Sequence, residues 1–253
     1  MTYRFALTSA AVALLTLAPA TLRAQSLDVD FGLSGETAAE TGFAVFESTS
    51  AGVTGPLARV FDPQTVGNSF STPITVTLNA FNDRSGTVGQ ILARNRQASA
   101  VSDSGALTFG ELYRDFVRAS SSTNPVLRVA ISGLAANTPY VFTIYSYDAQ
   151  GGNNSTNTID YVQTGSTVPF GSVTYVGMPS GSEIRPTFNS QFSATTTLTT
   201  DANGNLSVDA RYVSGTERSA PVNAIQISPV PEPSAALLAL AAGVPLLARR
   251  RRK

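Results

Sequence analysis

The sequence has no cysteine, no histidine and no tryptophan, and its one lysine is the last residue, Lys253. Each absence excludes something. Without cysteine there is no disulfide, no thiolate metal site and no cysteine nucleophile. The fold must be held by its core alone. Without histidine the usual general base and the commonest metal ligand are missing, and a Ser-His-Asp triad cannot be assembled. The chemistry left open is carboxylate-pair catalysis and oxygen-ligand binding of Ca²⁺. Without tryptophan, the largest surface for stacking on a sugar ring is lacking.

The formal net charge of +0 hides an asymmetry. Seven of the 17 basic residues lie in the terminal segments: Arg4, Arg23 and the run from Arg249 to Lys253. Only one of the 17 acidic residues, Glu232, is terminal. The body between is near −6 and free of lysine. Nucleic acid demands basic patches, so it is excluded as a partner. At 42% hydrophobic residues, the chain has enough apolar side chains for a packed core.

The two ends carry targeting patterns. Residues 1–24 read as a signal peptide: Arg4, an apolar stretch from Phe5 to Ala18, then small residues for cleavage. Ala18-Pro19-Ala20 fits the A-x-A pattern, and Leu22-Arg23-Ala24 before Gln25 is a second site. The alternative is an N-terminal anchor, but the apolar run is short against the ~20 residues a bilayer needs. At the other end, Pro231-Glu232-Pro233 is a stiff, extended segment, because proline fixes its own φ and restrains its neighbour. An apolar stretch from Ala235 to Ala248 follows, then Arg249, Arg250, Arg251, Arg252 and Lys253. The basic cluster stays cytoplasmic by the positive-inside rule.

That order of Pro-Glu-Pro, apolar helix and Arg-rich tail resembles the PEP-CTERM sorting signal of Gram-negative bacteria. The resemblance covers residues 230–253 and implies an exosortase as partner, with Pro231, Glu232 and Pro233 as its recognition residues. It implies membrane contact through the tail before processing, and a destination in the envelope, at the surface or in the extracellular matrix, beside exopolysaccharide.

Residues 25–229 read as one all-β domain. Leu27, Val29 and Phe31 alternate with polar residues, as do Ile74, Val76 and Leu78. The same period of two runs through Leu127–Ile131, Tyr140–Ile144 and Leu206–Tyr212, and Ile225 and Ile227 close the body. One short helix is expected over Glu111–Arg118, where Leu112/Phe116 and Tyr113/Val117 stand four apart. Asn203-Gly204 predicts a hairpin between Thr195–Thr200 and Leu206–Tyr212. The expected architecture is a single jelly-roll-like antiparallel β-sandwich of two packed sheets, with a signal helix before it and a hydrophobic helix after it.

Two further resemblances lie in the body. Gly133-Leu134 to Thr138-Pro139-Tyr140 resembles the turn into a strand of fibronectin type III domains, implying a tyrosine corner in which the hydroxyl bonds back to upstream backbone. Val29-Asp30-Phe31-Gly32, Arg114-Asp115-Phe116-Val117, Tyr145-Ser146-Tyr147-Asp148 and Val222 to Ile227 together resemble galactose-binding-like and malectin-like jelly rolls.

The candidate glycan-binding residues are Arg84, Arg114, Asp115, Tyr145, Tyr147 and Asp148: aromatics to stack on sugar faces, Arg and Asp to bond hydroxyls. The bland reading of the two tyrosines is a packed strand face. Asp201, Asn203, Asn205, Ser207 and Asp209 have alternating oxygens, but a calcium loop wants Gly sixth and Glu twelfth, so a plain turn is favoured. Asp148, Asn153, Asn154 and Asp160 share a Gly-rich loop, to be read as a solvated loop or a Ca²⁺ or sugar rim. Glu111 and Asp115 form the one candidate glycosidase pair. No catalytic residue, metal ligand or cofactor is assigned, with Ca²⁺ left open. The leading function is a non-enzymatic surface or matrix protein with a structural or adhesive body. The alternatives are a carbohydrate-binding module that retains exopolysaccharide, and a glycan-active enzyme using carboxylates.

Overall fold

A computed structural model describes residues 25–35, 39–96, 101–121, 123–152 and 154–231. Residues 1–24, expected to be a signal peptide, together with Glu232, Pro233, the apolar stretch, the arginine tail and Asn153, lie outside the described residues. Pro231 is described and exposed. No helix among the described residues is long and apolar enough to cross a membrane.

The body is all-β. Its strands are β1 (Leu27–Leu33), β2 (Ala44–Ser48), β3 (Val53–Thr54), β4 (Leu57–Phe61), β5 (Ile74–Phe81), β6 (Gln90–Asn95), β7 (Asp115–Ser120) and β8 (Val126–Ser132). They continue with β9 (Pro139–Tyr145), β10 (Ser155–Gln163), β11 (Gly171–Gly177), β12 (Ser193–Thr199), β13 (Leu206–Ser214), β14 (Ser219–Val222) and β15 (Ala224–Pro229). One sheet runs β12-β9-β15-β1-β2 and the second β11-β10-β13-β8-β5-β4; a smaller third runs β14-β7-β6-β3. Among the described residues, all pairings between these strands are antiparallel except β1 with β2.

The core follows the alternation in the sequence. Leu27, Val29 and Phe31 of β1 are fully buried, as are Ile74, Val76 and Leu78 of β5. Leu127, Val129, Phe142, Ile144 and Val208 meet them in the same apolar cluster. Each such side chain contributes about 1.5–3 kcal/mol by leaving water. With no disulfide present, that burial is the main cohesion.

The tyrosine corner is formed. Gly133, at φ 95°, turns the chain out of β8. The Tyr140 hydroxyl then accepts a hydrogen bond from the Ala135 N–H at 3.0 Å.

Two expectations fail. Glu111–Arg118 is not helical. Its first residues make a turn closed by Arg114 N–H to Glu111 C=O at 3.1 Å, and the rest is β7. The pairs four apart misled because Leu112 and Phe116 are both buried, but on different elements. The Asn203-Gly204 turn forms, with Gly204 at φ 76° and Asp201 N–H bonded to Asn205 C=O. It does not make a hairpin. β12 pairs with β9 in one sheet and β13 with β8 and β10 in the other, so the turn carries the chain between sheets.

Asn223, between β14 and β15, is fully buried and joins four segments. Its Oδ1 accepts from Tyr147 N–H at 2.6 Å, and its Nδ2 donates to Asp115 C=O at 2.8 Å. Its backbone N–H donates to Tyr145 C=O at 2.9 Å, and its C=O accepts from Phe31 N–H at 2.7 Å. These are the four short segments whose residues resemble galactose-binding-like modules. β1 and β15 are antiparallel neighbours with Leu27 opposite Ile227, so the body begins and ends at one pole.

Candidate functional site

The six candidate glycan residues go to separate places. Tyr145 and Tyr147, at and just beyond the end of β9, come together: both rings meet Tyr113 edge-on, at 6.1 and 5.9 Å. Tyr147 also stacks on Phe192 at 4.5 Å and donates to Ile184 C=O. Both rings are buried, so protein occupies the faces a sugar would need. Asp148 turns instead to Arg96, which grips it with two hydrogen bonds of 2.6 Å. Arg114 pairs with Glu111 at 2.8 Å. Arg84, on the β5–β6 connection, donates to Tyr212 C=O at 3.2 Å.

Asp115 enters an acidic cleft on the outer side of β1 and β2. The cleft is lined by Asp30, Gly32, Leu33, Val45, Glu47 and Asp115 and has room for about 10 Å³, roughly one water. A Cβ on Gly32 would run into Asp115 Oδ2, which takes its place against the strand and accepts from Leu33 N–H at 3.3 Å. Asp30 Oδ2 accepts from Glu40 N–H at 2.8 Å, while its buried Oδ1 has no partner. Burial raises the Asp115 pKa to about 7, against the Leu33 hydrogen bond and the nearby Arg114 charge. Burial and then the Asp115 charge push Asp30 well above its ordinary value, and burial raises Glu40. The cleft favours the protonated form of its buried carboxyls. It is too narrow for a sugar ring, and Glu111, the other half of the candidate glycosidase pair, faces Arg114. Among the described residues no three acidic side chains are grouped so as to hold a metal ion.

The loop residues considered for Ca²⁺ have protein partners. Asp201 Oδ1 accepts from the N–H groups of Asn203 and Asn205, both at 2.8 Å. Asp160 accepts from Ser172.

A second polar array lies on the outer face of the five-stranded sheet. Thr195 of β12 stands opposite Thr143 of β9, Thr143 opposite Gln226 of β15, and Gln226 opposite Asp28 of β1. Side chains at registered positions on one face are close neighbours. Thr143 and Thr195 hydroxyls bond at 2.9 Å. Gln226 Nε2 donates to Asp28 Oδ1 at 2.9 Å, and its Oε1 accepts the Tyr145 hydroxyl at 2.6 Å. Ser26 donates to Asp28 Oδ2 at 2.9 Å. Burial, and then the Asp28 charge, raise Tyr145 to about 12, so its hydroxyl stays a donor. The result is a fixed row of hydroxyl, amide and carboxylate groups across four strands.

No protein family and no curated protein matches the chain. Solved structures do resemble it. A family 35 carbohydrate binding module from Clostridium thermocellum aligns with 59% of this chain and 90% of its own, at TM-score 0.34 and 11% identity. A CBM35 from Paenibacillus barcinonensis aligns over 59% and 91%, at 0.29 and 14%. The K2 cleaved adhesin domain of Lys-gingipain aligns over 68% and 99%, at 0.31 and 12%. Similarity this low carries no argument about this chain's ligand.

Sequence reasoning missed Gln226, Asp28, Asp30, Glu40 and Glu47. A signal for two of them existed: Asp28 and Asp30 alternate with Leu27, Val29 and Phe31, so both had to leave the core side of β1. Nothing local could say that one would line a closed cleft and the other an open row.

Proposed function

We propose that the chain is an exported envelope protein of a Gram-negative bacterium and that its β-sandwich holds matrix polysaccharide without catalysing a reaction. Export and sorting rest on the two ends, with Pro231, Glu232 and Pro233 presented to an exosortase. The observation that carries the carbohydrate reading is the row from Asp28 through Gln226 and Thr143 to Thr195. Registered strands fix its donors and acceptors before any ligand arrives, which lowers the ordering cost of binding hydroxyl groups.

A glycan array with the purified protein, run with and without Ca²⁺, tests the ligand. Binding should weaken in Gln226→Ala. No binding under either condition would remove the carbohydrate reading and leave the second one, a structural or adhesive sandwich. That second reading draws on the burial of the Tyr145 and Tyr147 rings, which leaves this row without a stacking platform. Sorting is tested separately. Mass spectrometry of the surface protein should find both ends removed, and an intact arginine tail on exposed protein would refute it.

A further inference from the structure

The four-stranded sheet carries an arginine cluster on its outward face. On β6 and β7, Leu92 stands opposite Arg118 and Arg94 opposite Phe116. Ile91, Ala93, Val117 and Ala119 point to the core. Alternation therefore puts Arg94, Arg118 and, just past the end of β6, Arg96 on the other side. Arg96 lies over the Phe116 ring at 5.3 Å.

Two carboxylates enter this face from loops. Asp148 takes both arms of Arg96. Glu217 pairs with Arg118 and stands 4.0 Å from Arg96. Three cations thus meet two anions. Arg94 has no carboxylate partner among the described residues. Its Nη1 donates to the backbone carbonyls of Ser50 and Ala93, at 3.1 and 2.9 Å, which hold it in place without neutralising it. The Nε–H of Arg118 is buried with no acceptor. Burial, followed by the Arg118 and Arg96 charges, lowers the Arg94 pKa, against smaller opposing effects of Glu217 and Asp148. Positive potential therefore persists at an accessible guanidinium, in a body that is otherwise acidic.

We propose that this face is an anion site contacted through Arg94, and that its ligand is the carboxylate or sulfate group of an acidic polysaccharide. The anion chemistry stands on the cluster itself; the choice of a polysaccharide rests on the matrix reading above. A guanidinium fork matches planar anions, and the Arg96–Asp148 pair already displays that geometry in this cluster. The negative remainder of the body would repel a polyanion, so contact is confined to this one face.

The test is retention of the full chain by polygalacturonate, dextran sulfate and uncharged dextran, read as the difference between wild type and Arg94→Gln because both carry the basic run from Arg249 to Lys253. Retention by either polyanion but not by dextran is expected; polygalacturonate alone assigns carboxylate, and dextran sulfate alone assigns sulfate. Arg94→Gln should weaken binding about tenfold, the scale of one charge-assisted contact, with unchanged melting. Glu217→Gln should strengthen it by removing a competing carboxylate, a gain that misfolding would not produce. Equal binding by wild type and Arg94→Gln, or no polyanion retained above dextran, overturns the proposal. Loss of the Gln226 effect or of tail processing would count against the reading above and leave this one standing.

Discussion

Replacing Asn223 with leucine should cost the fold about 4 kcal/mol. Leucine keeps the same branched side-chain skeleton, so no cavity is left, and its bulkier methyl groups can only add to the cost. The backbone bonds of residue 223 to Tyr145 and Phe31 survive, since they do not involve the side chain. What is lost is the carboxamide. Tyr147 N–H and Asp115 C=O, which it satisfies at 2.6 and 2.8 Å, are left facing an apolar group. Each orphaned buried group costs about 1–3 kcal/mol, giving the central figure. Urea denaturation with an unchanged slope measures it, and a domain of this size should lose roughly 8–16 °C in melting temperature. Asn223→Asp makes a second probe. It keeps the acceptor for Tyr147, loses the donor to Asp115 C=O, and adds a negative charge beside a crowded acidic cleft. It should be worse than leucine at neutral pH and recover on acidification. A loss under about 1 kcal/mol in the leucine variant would refute the idea that this side chain joins the four segments.

The acidic cleft predicts an unusual pH dependence. Asp115 keeps a proton up to about pH 7 in the folded state, whereas the unfolded chain releases it near 3.8. Stability should therefore fall as pH rises through that window, by at most about 4 kcal/mol from this residue, and Asp115→Asn should flatten the decline seen by calorimetry. Asp209 has the opposite sign. Burial would raise its pKa, but hydrogen bonds from Arg128 and Arg211 outweigh that and hold it below the usual value. Its contribution should be present above pH 4 and lost on acidification, and Asp209→Asn should cost about 2 kcal/mol in urea titrations at pH 7. Tyr140→Phe removes the hydroxyl that Ala135 N–H uses, and should cost about 1 kcal/mol by the same measurement.

Much of the fold was legible because period-two burial is local. Leu27, Val29 and Phe31 point inward for the reason the sequence suggests, and Tyr140 finds its partner five residues away. The four motifs that converge on Asn223 were legible as a set, though not the residue that joins them. What escaped depends on distant partners. The turn at Asp201–Asn205 is encoded locally, but which sheet each flank joins is decided by β9 and β8. Tyr145 and Tyr147 look like a sugar platform until Tyr113 and Phe192, remote in sequence, cover them. Arg94 and Arg96 share a face by period two, but Arg118 lies farther along the chain, and only the pairing of β6 with β7 brings it beside them. The two ends, read from sequence as export and sorting signals, are the reverse case: their pattern is local and lies almost entirely outside the described residues.

The neighbouring positions of β1 and β15 also fix how the domain bears force. Tension applied between its two ends would peel Leu27 from Ile227 first and open the ladder one pair at a time, a weak mode. Tension between the C-terminal end and a ligand held on a sheet face takes another path. It pulls β15 lengthwise between β1 and β9, so many backbone bonds must break together. A protein held only by its C-terminal end would meet the second kind of load, leaving β1 as a passive brace.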